Sequence, residues 1–162
     1  MSMLSTKLEK ELNLQVQREF YSAGLYLAMS SWVAQLGYNG IAHWLEKQAE
    51  EEMEHGMKFY HYILDRGGKA IVPAIEQPPV EFNSVLEMFE EVLAHEQKVS
   101  QWISDIALMA FEEKDLLTWN WIQWGIEEQI EEETTSANLL EQCRLFGEKK
   151  LLFFDSMLSK RE

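Results

Sequence analysis

Residues 51–55 read Glu51-Glu52-Met53-Glu54-His55 and stand in the middle of a long segment with helical periodicity. Glu52 and His55 are three apart, so on a helix the carboxylate and the imidazole share one face. Ile41, Leu45, Gln48, Phe59 and Tyr62 fall on that same face, in alternating steps of four and three. A stripe spaced this way turns toward the inside of a helical bundle. An acid and a histidine on the buried stripe therefore need a partner. For one such pair alone a hydrogen-bonded core contact is the commoner reason, so the other helices decide.

Working outward, the spacing predicts a first helix from Ser5 to about Leu36, capped by Ser5 or Thr6 and closed by Gly37. At ~1.5 Å per residue it is about 45–50 Å long. Its inner stripe is Leu8, Leu12, Gln15, Glu19, Ser22, Tyr26, Met29 and Val33, with Gly24 offering room for close packing. The second helix runs from Gly40 or Ile41 to Arg66 and ends at Gly67-Gly68. Residues 69–82 hold all three prolines, at 73, 78 and 79. That connection is too long for a tight turn and is expected to cross the length of a bundle, returning the next helix parallel to the second.

The third helix begins near Asn83-Ser84, with Ser84 three residues before Glu87. Its stripe is Val85, Phe89, Val92, Glu96, Val99, Ile103, Ile106 and Ala110, where Glu96 is the single acid. The fourth is expected over about Leu116 to Phe146, with Ile122, Gly125, Gln129, Glu132, Ser136, Leu139, Cys143 and Phe146 inward and Gly147 as its stop. A short amphipathic segment, about 148–160, carries Leu151, Leu152, Phe153, Phe154 and Leu158 and must pack on the rest to be stable. The expected fold is all-α: a four-helix bundle over about 5–146, a long crossover between helices two and three, and a short fifth helix, in one domain spanning 1–162.

Bulk properties narrow the function. The 162 residues carry 28 acids and 14 bases, a formal net charge of −14. Nucleic acid and anionic membrane both call for basic patches, so neither is an expected partner. An acidic surplus attracts cations, although solubility alone also explains it. The single cysteine, Cys143, excludes a disulfide framework and a cysteine-based metal site. Met1 to Leu12 lacks an apolar run and no stretch is long enough to span a membrane, so a cytoplasmic protein is expected.

Each long stripe is interrupted by acid near its midpoint: Glu19, Glu52 with His55, Glu96, and Glu132 with Gln129. In a bundle of similar-length helices those midpoints meet. Four carboxylates buried without counter-charge would each cost several kcal/mol or take up protons. Two divalent cations would cancel them, and oxygen ligands with one nitrogen suit iron or manganese. One residue earlier lie Glu51, Glu128 and Glu131, rotated about 100° around their helices. Spacing allows either a further cation site or an ordinary solvated face there.

Arg18-Glu19-Phe20-Tyr21-Ser22, Leu25-Tyr26-Leu27, His43-Trp44, Glu51 to His55, Arg66-Gly67-Gly68 and Trp124 leading into Glu128 to Glu133 together resemble a prokaryotic non-haem ferritin. The likeness runs over essentially the whole chain. It implies a hollow shell of twenty-four subunits that oxidises Fe(II) with O2 or H2O2 and stores ferric oxyhydroxide. It also implies a di-iron ferroxidase centre. One iron would sit on Glu19, Glu52 and His55, the second on bridging Glu52, Glu96 and Glu132, with Gln129 close by and Tyr26 beside the centre. Glu51, Glu128 and Glu131 match the third iron site of bacterial members.

Met53 falls where bacterioferritins place a haem-ligating methionine. Those relatives differ at Gln129 and Glu132, and non-haem ferritins also carry this methionine, so haem is not expected. The acidic three-fold channel of animal ferritins corresponds to Trp119 and Ile122 here, and that iron-access route does not carry over. The Trp119, Trp121 and Trp124 group reads as packing, with quenching of oxidising equivalents as the alternative. Rival readings are a di-iron peroxidase or oxygenase of the rubrerythrin type, a DNA-protecting shell, and a purely structural bundle. The absent second E-x-x-H pair and cysteine-rich segment count against the first, acidity against the second, and four buried acids against the third.

Overall fold

The structure is a computed structural model and describes residues 2–162. Four long rods form the body: α1 (Thr6–Gln35), α2 (Asn39–Asp65), α3 (Val85–Glu112) and the pair α4 (Leu116–Trp121) and α5 (Gln123–Phe146). A 3-10 turn over Glu148–Lys150 leads into the short α6 (Leu151–Leu158). Among the described residues there is no strand, and no helix is long and apolar enough to cross a membrane.

Local signals set the ends. Ser5 Oγ accepts from Leu8 N at 3.0 Å and Ser84 Oγ from Glu87 N at 3.1 Å, satisfying N–H groups that have no partner within their helices. Gly37, Gly67 and Gly147 terminate α1, α2 and α5 with φ of 91°, 71° and 69°, a region that disfavours side chains.

The connection after α2 runs along α1. Lys69 N donates to Glu9 Oε1, Asn13 bonds Lys69 O and Ile71 N, and Gln17 donates to Ala74 O. Phe82 then meets Trp32 near the far end of α1, ring centroids 5.5 Å apart. The chain has crossed the bundle, so α3 starts at the end where α2 started, and the two are parallel. α1 against α2, and α3 against the fourth rod, are antiparallel neighbours joined through short turns.

Two expectations change. The fourth rod is not one helix: it breaks at Ile122. Gln123 Nε2 donates to Trp119 O at 2.8 Å, taking the carbonyl that the Gln123 backbone N–H would use in a continuous helix. Gly24 also makes no close packing contact, since a Cβ built there meets nothing within 4 Å.

The stripes themselves face inward. Every predicted inner position of α1, α2 and α3 is buried, and in the fourth rod only Phe146 is half-buried, tilted against Phe154. Fully buried Phe154 and Leu158 dock α6, contributing about 1.5–3 kcal/mol each. Leu152 and Phe153 point away and stay exposed.

α6 also completes α2. Tyr38 offers no side-chain cap, and Asp155 Oδ1 takes the Ile41 N–H at 2.7 Å instead. This cap arrives from a residue 114 positions away. Gly40 is what lets α6 approach, because a Cβ there would collide with the Asp155 carbonyl. Gly40→Ala is therefore expected to lower stability by about 2 kcal/mol, read by thermal or urea unfolding. An unchanged midpoint would mean that α6 shifts freely.

Candidate metal centre

The apolar interior is not continuous. One cluster takes Leu25 to Val33 of α1, Ile41 to Ala49 of α2, Val85 to Val92 of α3 and Leu139 to Cys143 of α5. The other takes Leu4, Leu8, Leu12 and Val16, Phe59 to Ile63, Val99 to Ala110 and Ile122. Between them lies a polar layer built by all four rods: Gln15, Glu19 and Ser22, Gln48, Glu52 and His55, Glu96, and Gln129 and Glu132, all buried.

Within this layer the donor atoms converge. Glu19, Glu52 and His55 offer ligand atoms all within 4.8 Å of one another, and so do Glu52, Glu96 and Glu132. Glu52 belongs to both groups. His55 Nδ1 faces Glu52 Oε2 at 3.3 Å, while Nε2 approaches Glu128 Oε1 at 3.4 Å. A carboxylate behind a metal-facing imidazole fixes its ring orientation. Gln129 Nε2 donates to Glu96 Oε2 at 3.1 Å and to Ser100 Oγ at 3.2 Å. The fully buried Tyr26 donates its hydroxyl to Glu96 Oε1.

Burial and mutual repulsion shift the acids of the layer. Burial, then the charge of Glu52, pushes the Glu19 carboxyl well above the usual range. Burial, then Glu96, does the same to Glu52, and burial raises Glu96. Glu132 is pushed up to about 8, first by burial and next by Glu96. Glu19 Oε2 is a buried oxygen with no hydrogen-bond partner. When both carboxylates are ionised, neither Glu19 nor Glu52 can donate to the other. Only a proton or a cation between them resolves the contact. The donor set fits hard divalent cations, with carboxylates on every side and one imidazole.

Protonation gives a test of sign. An unfolded glutamate titrates near 4.5, whereas folded Glu132 titrates at about 8. Across that window the folded chain holds more protons than the unfolded one, so cation-free stability falls as pH rises. A cation replaces those protons. Anaerobic addition of Fe(II) or Co(II) near pH 7 should release about one proton or more per subunit, fewer above pH 9, as followed by an indicator dye. Binding without proton release would contradict the raised carboxyls.

A third group, Glu51, Glu128 and Glu132, also lies within 4.8 Å, with the first two half-buried. Glu131 is exposed and outside it, so the one-residue offset brings two of its three acids together. Trp121 and Trp124 form one aromatic corner: Trp124 is 5.5 Å from His55 and 5.7 Å from Phe59, and Trp121 stacks on Tyr62 at 3.9 Å. Trp119 stands apart beside Phe111, 6.1 Å away.

Gln15 and Gln48 are site residues to which the sequence reading assigned no role. Gln15 Nε2 donates to Glu19 Oε1 at 2.9 Å, and Gln48 Nε2 donates to Glu132 Oε2 at 2.6 Å and Glu52 Oε1 at 3.3 Å. Each stands four residues before an acid of the layer, which is the signal that marks them.

The chain is similar to known proteins over nearly its whole length. The family profile described as "Ferritin-like domain" matches residues 9–146. The chain is 38% identical to a bacterial non-heme ferritin of Bacteroides fragilis over 160 residues, covering 98% of this chain and 100% of that one. It is 40% identical to a probable bacterial non-heme ferritin-like protein of Haemophilus influenzae, covering 96% of each. Among solved structures it superposes on the open-pore ferritin of the archaeon Archaeoglobus fulgidus with a TM-score of 0.97, at 41% identity and full coverage of both chains.

Proposed function

The chain belongs to the ferritin family, and from that premise we propose that it stores iron and oxidises Fe(II) at the buried carboxylate layer. The observation that carries this is the pair of ligand groups sharing Glu52 in the gap between two apolar clusters. Iron is substrate and cargo here. One Fe(II) is held by Glu19, Glu52 and His55; the second by Glu52, Glu96 and Glu132, with Gln129 at its edge.

Two ions side by side surrender two electrons together. Dioxygen takes both with two protons and becomes H2O2, or H2O2 takes both with two protons and becomes two waters, while two Fe(II) become two Fe(III). Paired transfer avoids a free one-electron oxygen radical. Carboxylates favour the harder Fe(III), and a weak amide ligand such as Gln129 lets product leave. Tyr26 holds Glu96 through its hydroxyl. Glu51 and Glu128, with Glu132 and the outlying Glu131, form a further cation position toward which product moves.

Storage as ferric oxyhydroxide calls for a closed compartment, and a shell of twenty-four copies is the form we propose. Exposed Leu152 and Phe153 on α6 give further copies an apolar surface to cover. The net charge of −14 draws Fe(II) toward the shell. The test is Fe(II) added in air and followed by ferric absorbance. Oxidation much faster than in buffer, ending in a soluble mineral-loaded particle, is expected; a rate equal to buffer ends the reading.

A further inference from the structure

The residue next to the C-terminus reaches the centre. Arg161 lies beyond α6 and packs against Trp44, Gln48 and Glu51 of α2. Its guanidinium lies over the Trp44 ring, 4.7 Å from the centroid. Nη1 donates to Trp44 O at 3.0 Å and to Gln48 Oε1 at 3.1 Å, and Nη2 donates to Glu51 Oε1 at 2.9 Å. Its own carbonyl is bonded to His43 Nε2 at 2.6 Å.

The far side of Gln48 is the polar layer. Guanidinium is a donor with no acceptor, so the amide oxygen of Gln48 must face Arg161. The amide NH2 is thereby turned to Glu132 Oε2, at 2.6 Å, and Glu52 Oε1, at 3.3 Å. Without that constraint a buried glutamine has two orientations, one of which sets its oxygen against two carboxylates. We infer that Arg161 is a positioning residue of the cation centre, acting through the Gln48 amide on Glu132 and Glu52 and directly on Glu51.

This rests on the cation-centre reading above. Gln48 holds one oxygen of Glu132 and leaves the other for a cation, so the second position, on Glu52, Glu96 and Glu132, depends most on the relay. The first, on Glu19, Glu52 and His55, depends on it less. Arg161 also fixes Glu51, whose carboxylate stands in one group with Glu128 and Glu132.

The experiment is an anaerobic titration of the assembled protein with Co(II), reading calorimetry and the visible spectrum of the bound ion, with thermal unfolding alongside. In Arg161→Ala the second position, identified as the binding that His55→Ala retains, should lose about tenfold in affinity, with the first within about twofold. Gln48→Leu should reproduce that split. Arg161→Lys keeps the charge but not the fork that spans Trp44 O, Gln48 and Glu51, and should not restore it. Asp155→Ala loosens α6 at its other anchor and controls for general undocking.

Second-position affinity within twofold of wild type in Arg161→Ala would overturn the proposal. So would equal losses in Arg161→Ala and Asp155→Ala, or full recovery with lysine. A wild type that binds no Co(II) would instead sink the cation-centre reading itself.

Discussion

Replacing Glu52 with alanine is expected to slow Fe(II) oxidation in air by about a hundredfold or more, because this carboxylate alone belongs to both inner ligand groups. Losing it lowers the charge at each position and removes the atom that holds two ions at a fixed spacing. Paired electron transfer depends on that spacing. His55→Ala should give a smaller but still large loss, since it strips the first position of its nitrogen and leaves Glu52, Glu96 and Glu132 in place. An anaerobic Co(II) titration separates the two variants: one retained position in His55→Ala, and two damaged ones in Glu52→Ala. Neither change threatens the fold, because the apolar clusters on either side are untouched. Stopped-flow ferric absorbance at wild-type rate in Glu52→Ala would rule out this layer as the site of oxidation.

The inward stripes were legible because each helix repeats its apolar spacing over seven or eight positions. A period that long fixes the buried face whatever lies opposite. The meeting of Glu19, Glu52, Glu96 and Glu132 followed from similar helix lengths and a crossover that keeps α2 and α3 parallel. What escaped depends on contacts between distant residues. The break at Ile122 is the local exception, marked by the Gln123 side chain bonded to the Trp119 carbonyl that periodicity assigns to the backbone. Asp155 caps α2 and Arg161 grips Gln48 from the far end of the chain, and nothing near Ile41 or Gln48 announces either. Glu128 and Glu131 share one face of α5, yet only Glu128 reaches His55; Glu131 looks into solvent. Spacing gives the face of a helix, not the depth at which that face meets its neighbour.

Glu19→Gln should then separate function from stability by changing sign with the cation. In the cation-free protein Glu19 is driven toward its neutral form by burial and by Glu52. A glutamine has the same shape, keeps an oxygen for the Gln15 Nε2 now bonded to Glu19 Oε1, and puts an NH2 where the orphaned Oε2 stands. That NH2 donates to Glu52 without having to find a proton. At high pH the variant should therefore be more stable than wild type by about 2 kcal/mol in chelator, and the gain should shrink as pH falls toward the ordinary glutamate value of 4.5, where protonating Glu19 costs little. With Fe(II) or Co(II) the order reverses. A neutral amide is a poor ligand, so the variant loses affinity at the first position and with it the stabilisation that binding confers. Thermal unfolding with and without cation, at both pH values, reads all four quantities. A variant less stable than wild type in chelator at high pH would show that the acids are satisfied without metal, and that the layer exists for some purpose other than holding it.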